Sequence, residues 1–186
     1  MKFAAVLVLF FLPLSAMAQA NNQVVLSNTD VQALLETSKK KNEANKKEME
    51  TESADAVRAD LIEDLNDKTR IYFQRGYGVY VTYTADDGNM RMWFPGNSVM
   101  VNATWTVRDV SGTPMTCFHY LNGTDVVTGE VNATECVPPT SDSVDGGLIG
   151  ERKGDAFDLL SGRVPYVKDV MDVPVWPSSV SDTPKP

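Results

Sequence analysis

The chain has little histidine, little cysteine and few basic residues for its number of acidic ones. It contains one His, two Cys, and 17 Lys and Arg against 25 Asp and Glu, which gives a formal net charge of −8 over 186 residues. This balance argues against a nucleic-acid-binding protein, because contacts to phosphates need clustered cations. One imidazole and two thiols also leave few ways to build a metal cage, so no metal and no cofactor are expected.

The short motifs of the commonest enzyme classes are absent as well. The sequence has no Gly-x-Ser-x-Gly elbow, no P-loop, no dinucleotide-binding glycine pattern and no His-Glu-x-x-His helix. Carboxylates still allow glycosidase-type hydrolysis, because two of them flanking a bond suffice. Asp86 and Asp87 are better explained as turn formers, however, and Asp142 and Asp145 lack the ligand spacing of a calcium loop.

The N-terminus has the pattern of a secretory signal. A positive start is followed by an apolar run at 3–14 and by small residues at 15–20. The run is about 12 residues long and is broken by Pro13, whereas a membrane-spanning helix needs roughly 20 apolar residues. We therefore expect cleavage after Ala18, with Ala20 as the alternative, and a periplasmic or secreted protein without a membrane span.

Export changes the interpretation of the two cysteines, Cys117 and Cys136. An even pair in an oxidising compartment predicts a disulfide, which would close a loop of roughly 20 residues and contribute about 3 kcal/mol. A redox-active pair is an alternative, although the Cys-x-x-Cys spacing is absent. A metal site is the weakest interpretation, because only His119 lies nearby and zinc needs a denser set of ligands.

Changes of pattern divide the chain into four segments. These are a signal peptide at 1–18, a short helix and polar charged spacer at 19–53, a single α+β domain at 54–172 and a flexible proline-rich tail at 173–186. The length suits one domain, and an apolar content of 42% is enough to bury a core.

Two helices are predicted before the sheet. Val31 and Leu35 follow a plausible N-cap within 28–30, which indicates a short helix. The charged residues at 38–50 are either a solvated helix or a linker, and a solvated spacer is favoured. A second helix is predicted over 54–68, where apolar residues recur at spacings of three and four and should pack on the core; they are Val57, Leu61, Ile62 and Leu65.

The apolar period then changes from 3.6 to 2, which is typical of strands. Strands are predicted at 71–73, 77–84, 90–94, 99–107 and 115–120, with short turns rich in Asp, Gly and Pro between them. Consecutive strands joined by short turns make an antiparallel arrangement. The predicted fold is therefore α+β: an antiparallel β-meander or partial barrel of four to six strands packed with an amphipathic N-terminal helix.

Alternation also predicts which faces of these strands are buried. In one strand the buried residues should be Val79, Val81 and Tyr83, and in another the alternate residues from Val99 to Val107.

Four large side chains lie opposite the faces predicted to be buried, and they form a candidate binding surface: Tyr80, Trp93, Met100 and Phe118. The other interpretation, which is favoured, is a second sheet face covered by a helix. His119 joins the candidates as the only imidazole, pointing away from Phe118 on the same strand. A surface or hydrogen-bonded structural His is the commoner case.

Several of these segments together resemble a known family. Residues 83–88 (Tyr-Thr-Ala-Asp-Asp-Gly), 103–107 (Ala-Thr-Trp-Thr-Val) and 117–120 (Cys-Phe-His-Tyr), followed by Cys136, resemble small exported alphaproteobacterial proteins of unknown function. Their pattern is an Asp-Gly hairpin, a Gly-x-Trp-x-Val strand, a Cys-x-x-aromatic strand and a second Cys. The resemblance implies a periplasmic β-rich fold with a disulfide and carries no activity with it.

The resemblance covers about half of the predicted mature chain. Residues 30–35 resemble a short helix that precedes the sheet in that family, and 154–157 (Gly-Asp-Ala-Phe) resemble a step that follows it. The chain departs from the pattern at Ala103, where the family has Gly, and at 38–53, which look like an insertion.

These observations favour an exported, non-catalytic binding or interaction module. Its expected partner is a small apolar ligand or a protein of the cell envelope, and nucleic acid is excluded by the charge balance. The alternative is a small cell-envelope hydrolase that uses carboxylates. An enzyme of that kind should place convergent acids in a cleft, whereas a binding module should present an open apolar groove.

Overall fold

A computed structural model of the protein describes residues 24–123, 129–140 and 146–178. In these ranges the helices are α1 (Asn28–Met49), α2 (Ala54–Leu65) and a short 3-10 helix, Leu159–Ser161. The strands of the same ranges are β1 (Val24–Val25), β2 (Lys68–Gln74), β3 (Gly78–Thr84), β4 (Asn89–Trp93), β5 (Val101–Val110), β6 (Thr113–Tyr120), β7 (Thr134–Val137), β8 (Gly146–Lys153) and β9 (Asp172–Val173). The predicted signal peptide and its cleavage positions, Ala18 and Ala20, lie outside the described residues, as do Asp142 and Asp145.

Seven of these strands form one antiparallel sheet that curls into a half-barrel. Its order is β7-β6-β5-β4-β3-β2-β8, so hairpins build most of the sheet and β8 comes from far along the chain to pair with β2. β1 and β9 pair in a separate two-stranded sheet. The predicted α+β fold with an antiparallel partial barrel is confirmed, but the predicted four to six strands are too few.

Strand β8 has no counterpart in the sequence prediction because three of its residues, Gly146, Gly147 and Gly150, are glycines. Glycine is disfavoured in strands unless another group must approach closely. A Cβ on Gly147 would lie 3.2 Å from the carbonyl oxygen of Leu34 in α1, and one on Gly150 would lie 3.3 Å from the Trp176 ring. These glycines therefore let α1 and the C-terminal segment pack directly on the strand.

The main hydrophobic core lies on the outer face of the half-barrel. Val81 and Trp93 face each other across β3 and β4, and both are fully buried on this side. The start of α1 and the segment 156–176 cover them. The Trp93 ring makes edge contacts with Phe157 and Tyr166, with ring centroids 5.5 and 4.7 Å apart. Trp93 is therefore a central residue of the core.

Helix α1 is longer than the predicted short helix. It begins at a capping box, in which the Ser27 hydroxyl accepts from the Asp30 N–H and the Asp30 carboxylate accepts from the Ser27 N–H. It then continues to Met49, so the charged run that sequence left open between helix and linker is helical. Only Val31 and Leu35 of this helix are buried. Packing therefore holds its first turns, and its second half is exposed.

Helix α2 begins where predicted and ends three residues early, at Leu65 rather than at 68. Val57 is buried and Leu61 is half-buried, but Ile62 is 42% exposed, so the predicted stripe is narrower than expected. Asp67, just beyond the helix, has a φ of 52°, which is incompatible with a continued right-handed helix. The helix lies over one end of the inner face of the sheet and does not reach the main core.

The predicted disulfide is confirmed. Cys117 in β6 and Cys136 in β7 are directly opposite each other and are bonded, with their Cα atoms 4.0 Å apart. The Arg108 guanidinium lies beside the pair, with Nε 3.1 Å from the Cys117 Sγ and an Nη 3.3 Å from the Cys136 Sγ. The bond fixes the short edge strand β7 to the rest of the sheet.

Replacing both cysteines by alanine (C117A/C136A) is expected to lower the free energy of unfolding by about 3 kcal/mol, because the bond restricts a long loop of the unfolded chain. Urea unfolding followed by tryptophan fluorescence measures this loss. Thr134→Ala, an exposed position on the same edge strand, should change stability by about 0.5 kcal/mol or less. A double variant as stable as T134A would contradict the structural role of the bond.

The described part of the predicted flexible tail packs on the domain. Trp176 stacks on Phe157 with ring centroids 5.3 Å apart, and the Arg152 guanidinium lies 4.9 Å from the Trp176 ring centroid. Val173 pairs with Val24 of β1. The folded chain thus extends beyond the predicted boundary at residue 172.

Candidate functional site

The inner face of the half-barrel encloses a cavity of about 710 Å³. Strands β2 to β7 form its walls, and Leu61, Asp64 and Leu65 of α2 close one end. This volume lies within the range of about 300–1,000 Å³ that is usual for small-molecule sites. We call it the inner cavity.

Strand register determines which side chains enter the inner cavity. Tyr72 of β2 lies opposite Tyr80 of β3, and two residues along β3, Thr82 lies opposite Met92 of β4. Since alternate residues share a face, these side chains all point inward. Phe118 of β6 enters from the opposite wall. Aromatic rings therefore line both sides of the cavity, with Tyr72 and Tyr80 on one side and Phe118 on the other.

Four rings form a continuous row along the first wall. Tyr72 stacks on Tyr80 with ring centroids 5.4 Å apart, Tyr80 lies 5.5 Å from Phe94, and Phe94 lies 6.3 Å from Tyr77. Such offset and tilted pairs give a rigid apolar surface. We call these four residues the aromatic row.

The phenol of Tyr80 is held in its neutral form. Burial raises its pKa well above the ordinary value, and the neighbouring Tyr72, Tyr120, Glu135 and Tyr77 act in the same direction. Because Tyr120 and Glu135 come from β6 and β7, they act on Tyr80 from across the cavity. The Tyr80 hydroxyl is therefore a hydrogen-bond donor at all physiological pH values.

The α2 end of the inner cavity is closed by a buried cation, Arg70. Its Nη1 and Nη2 donate to the two carboxylate oxygens of Asp64 at 3.0 and 2.8 Å, and its Nε donates to Glu151 at 2.5 Å. It also donates to the Asp64 backbone carbonyl. Lys68 lies 3.6 Å from Glu151 and completes the group. The Arg70 charge is thus already neutralised within the protein.

The structure separates the residues of the predicted binding surface. Tyr80 and Phe118 line the inner cavity. Trp93 and Met100 are buried in the main core on the outer face, so they do not belong to a surface. His119 is exposed and points away from Phe118, as predicted, and its Nδ1 lies 2.9 Å from the Thr134 hydroxyl. The core interpretation therefore holds for Trp93 and Met100.

The face of β5 that was predicted to be buried faces the inner cavity. Val101 lines the cavity. Farther along the same face, Ala103 and Trp105 form a second, smaller core with Met90. The Trp105 indole N–H donates to a backbone carbonyl at 2.9 Å. Val99 lies before the strand and is 63% exposed, so it does not belong to this face. Both faces of the sheet are apolar, which is why alternation alone did not distinguish them.

Several lining residues were not predicted as site residues. Tyr72, Tyr77, Phe94 and Tyr120 are aromatic, and all of them lie on or beside predicted strands. The pairing of Tyr72 with Tyr80 could have identified this face, but it can be predicted only when the register of the β2–β3 hairpin is known.

No helix among the described residues is long and apolar enough to cross a bilayer. The same described ranges contain no group of three or more His, Cys, Asp or Glu residues arranged to hold a metal ion.

Comparisons with models of known protein families, with curated proteins and with solved structures find no match to this chain. The chemistry of the inner cavity is therefore the basis for assigning a function.

Proposed function

We propose that the protein is a non-catalytic binding module that works in the periplasm or outside the cell and holds a small, largely apolar ligand in the inner cavity. The observation that carries this proposal is the cavity itself, which is lined by the aromatic row and by Met92, Val101 and Phe118. The sequence pattern of a signal peptide at 1–18 supports the location.

The composition of the lining suits such a ligand. Pockets for small molecules are mostly apolar and carry a few placed polar groups. Here the polar groups include the hydroxyls of the buried residues Thr82 and Thr116 and the phenol of Tyr80, which also donates to the Gln74 side chain. Because strands supply the lining on both walls, the cavity is formed before a ligand arrives, which lowers the entropic cost of binding.

A hydrolase that uses carboxylates, the alternative from sequence, has less support. Of the described carboxylates that line the inner cavity, Glu130 and Glu135 come from the chain in and before β7, while Asp64 at the α2 end shares the Arg70 guanidinium with Glu151. The shared Arg70 guanidinium joins Asp64 of α2 to Glu151 of β8. This arrangement favours a structural role for the pair.

A matched pair of neighbouring residues tests the proposal. Phe118 enters the inner cavity and His119 points to the other side of the same strand, so each can be replaced by glutamine in the purified protein. An apolar fluorescent probe, N-phenyl-1-naphthylamine, should bind the unaltered protein with an increase in fluorescence. We expect Phe118→Gln to weaken binding about tenfold, which corresponds to about 1.4 kcal/mol, because the ring's apolar area leaves the site. His119→Gln should leave binding unchanged.

The same experiment can contradict the proposal. Circular dichroism and urea unfolding establish that both variants are folded before binding is measured. If the probe does not bind the unaltered protein, or if both variants bind it as tightly as that protein does, the inner cavity is not a binding site.

A further inference from the structure

The inner cavity has an uneven balance of charge. The charged side chains among its described lining residues are Asp64, Arg70, Glu130 and Glu135. The only cation of this group, Arg70, is hydrogen-bonded to Asp64 and to Glu151. The described lining therefore offers a ligand no cation that is not already paired with a carboxylate.

Glu135 is the carboxylate best placed to act on a ligand. It lies in β7 directly opposite Phe118, and its side chain is exposed at the rim of the inner cavity. No Lys or Arg of the described ranges forms an ion pair with it. Its negative charge contributes to the raised pKa of Tyr80 on the facing wall. Glu135 thus provides a negative charge beside the aromatic rings.

Aromatic rings favour the same kind of ligand as Glu135 does. The face of an aromatic ring carries partial negative charge, so a cation within about 6 Å of the ring is attracted by about 0.5–2 kcal/mol, the larger value when water is excluded. The rings of the described lining belong to Tyr72, Tyr77, Tyr80, Phe94, Phe118 and Tyr120. An ammonium group between Phe118, Tyr120 and Glu135 would gain both attractions at once, and its apolar body would pack against the aromatic row.

We propose that the ligand of the inner cavity is a small organic cation, an ammonium group attached to an aromatic or aliphatic body. This inference rests on the proposed function, because it identifies the class of ligand for the same cavity. An anionic ligand is disfavoured, since its charge would lie near Glu135 without an available Arg or Lys in the described lining. A neutral apolar ligand would use the rings and leave the carboxylate without a role.

Three probes of nearly the same shape and of different charge test this class. They are 6-phenylhexylammonium, 6-phenylhexan-1-ol and 6-phenylhexanoate, each titrated into the purified protein by calorimetry at low salt and neutral pH. We expect the cation to bind about tenfold more tightly than the alcohol, and the carboxylate to bind most weakly. The preference for the cation should fall as salt is added, because Glu135 is exposed to solvent.

A matched pair of variants locates the source of the preference. Glu135→Gln should reduce the ratio of cation to alcohol affinity by about threefold or more, a loss of about 0.7 kcal/mol, with little change for the alcohol. Glu43→Gln makes the same change of net charge at an exposed position on α1 and should leave the ratio unchanged.

The outcomes separate this inference from the proposed function. If the alcohol binds as tightly as the cation, the class of ligand is wrong and the binding cavity stands. If E135Q and E43Q keep the same preference as the unaltered protein, the assignment to Glu135 is wrong. If none of the three probes binds, the cavity is not a site for either class and both proposals fall.

Discussion

Replacing Trp93 by alanine is expected to lower the free energy of unfolding by about 3–5 kcal/mol, the usual cost of removing a large buried aromatic side chain. The side chain is fully buried and contacts Phe157 and Tyr166, which come from a segment far along the chain. Its removal would leave a cavity between the sheet and that segment. Urea unfolding followed by circular dichroism measures the loss, because the signal of Trp93 itself is removed.

Two control variants make this prediction specific. Trp93→Phe keeps a ring against Phe157 and removes an indole N–H that has no hydrogen-bond partner among the described residues, so its loss should be clearly smaller. Val167→Ala, at an exposed position of the same covering segment, should change stability by about 0.5 kcal/mol or less. If W93A were as stable as V167A, Trp93 would belong to a surface, the less favoured of the two interpretations that the sequence left open.

Replacing Arg70 by methionine is expected to lower the free energy of unfolding by about 3–4 kcal/mol. Methionine keeps most of the apolar stem but leaves the carboxylates of Asp64 and Glu151 without their shared cation. The value lies toward the lower end of the range for broken buried pairs, because both carboxylates reach solvent. Thermal and urea unfolding at neutral pH measure the change.

The control for Arg70 is a second arginine, which also forms an ion pair with an aspartate but is exposed rather than buried. Arg163 forms an ion pair with Asp158 at 3.0 Å, and both side chains are largely exposed. Arg163→Met should therefore cost about 1 kcal/mol or less. Equal losses in R70M and R163M would show that the buried network contributes no more than a surface pair does.

The central strands and the start of α2 could be predicted from sequence because their signals are local. The Asp-Gly turn at 86–89 gives the β3–β4 hairpin, and alternation gives the ends of β3 to within one residue. The disulfide followed from the combination of an export signal and an even pair of cysteines. Each of these inferences needed only the pattern of neighbouring residues or the redox state of the predicted compartment.

The faces of the sheet could not be predicted because both of them are buried. Val81 and Val101 looked equivalent by alternation, yet register places Val81 in the main core and Val101 in the inner cavity. The turn length sets that register, and a shift of one residue would exchange the two faces. The same ambiguity leaves Trp93 open, from sequence alone, between a binding surface and a covered second face, with the covered face favoured.

Half of the candidate site could not be predicted from sequence either, because its residues depend on contacts between distant parts of the chain. Tyr80 and Phe118 were named from sequence because each is a large residue inside a clear strand. The roles of Arg70 and Glu135 depend on residues that are distant in the chain. Arg70 binds Glu151, and the charge of Glu135 acts on Tyr80. No local pattern carries such a contact.

The late position of the covering segment has a consequence for synthesis of the chain from its N-terminus. The hairpins from β2 to β6 can pair as soon as they leave the ribosome, but Phe157 and Leu159, which cover Trp93, follow only after residue 153. Until then the sheet exposes its most apolar face. An unfinished chain therefore lacks its main core and leaves this apolar face uncovered, which is the kind of surface that chaperones bind.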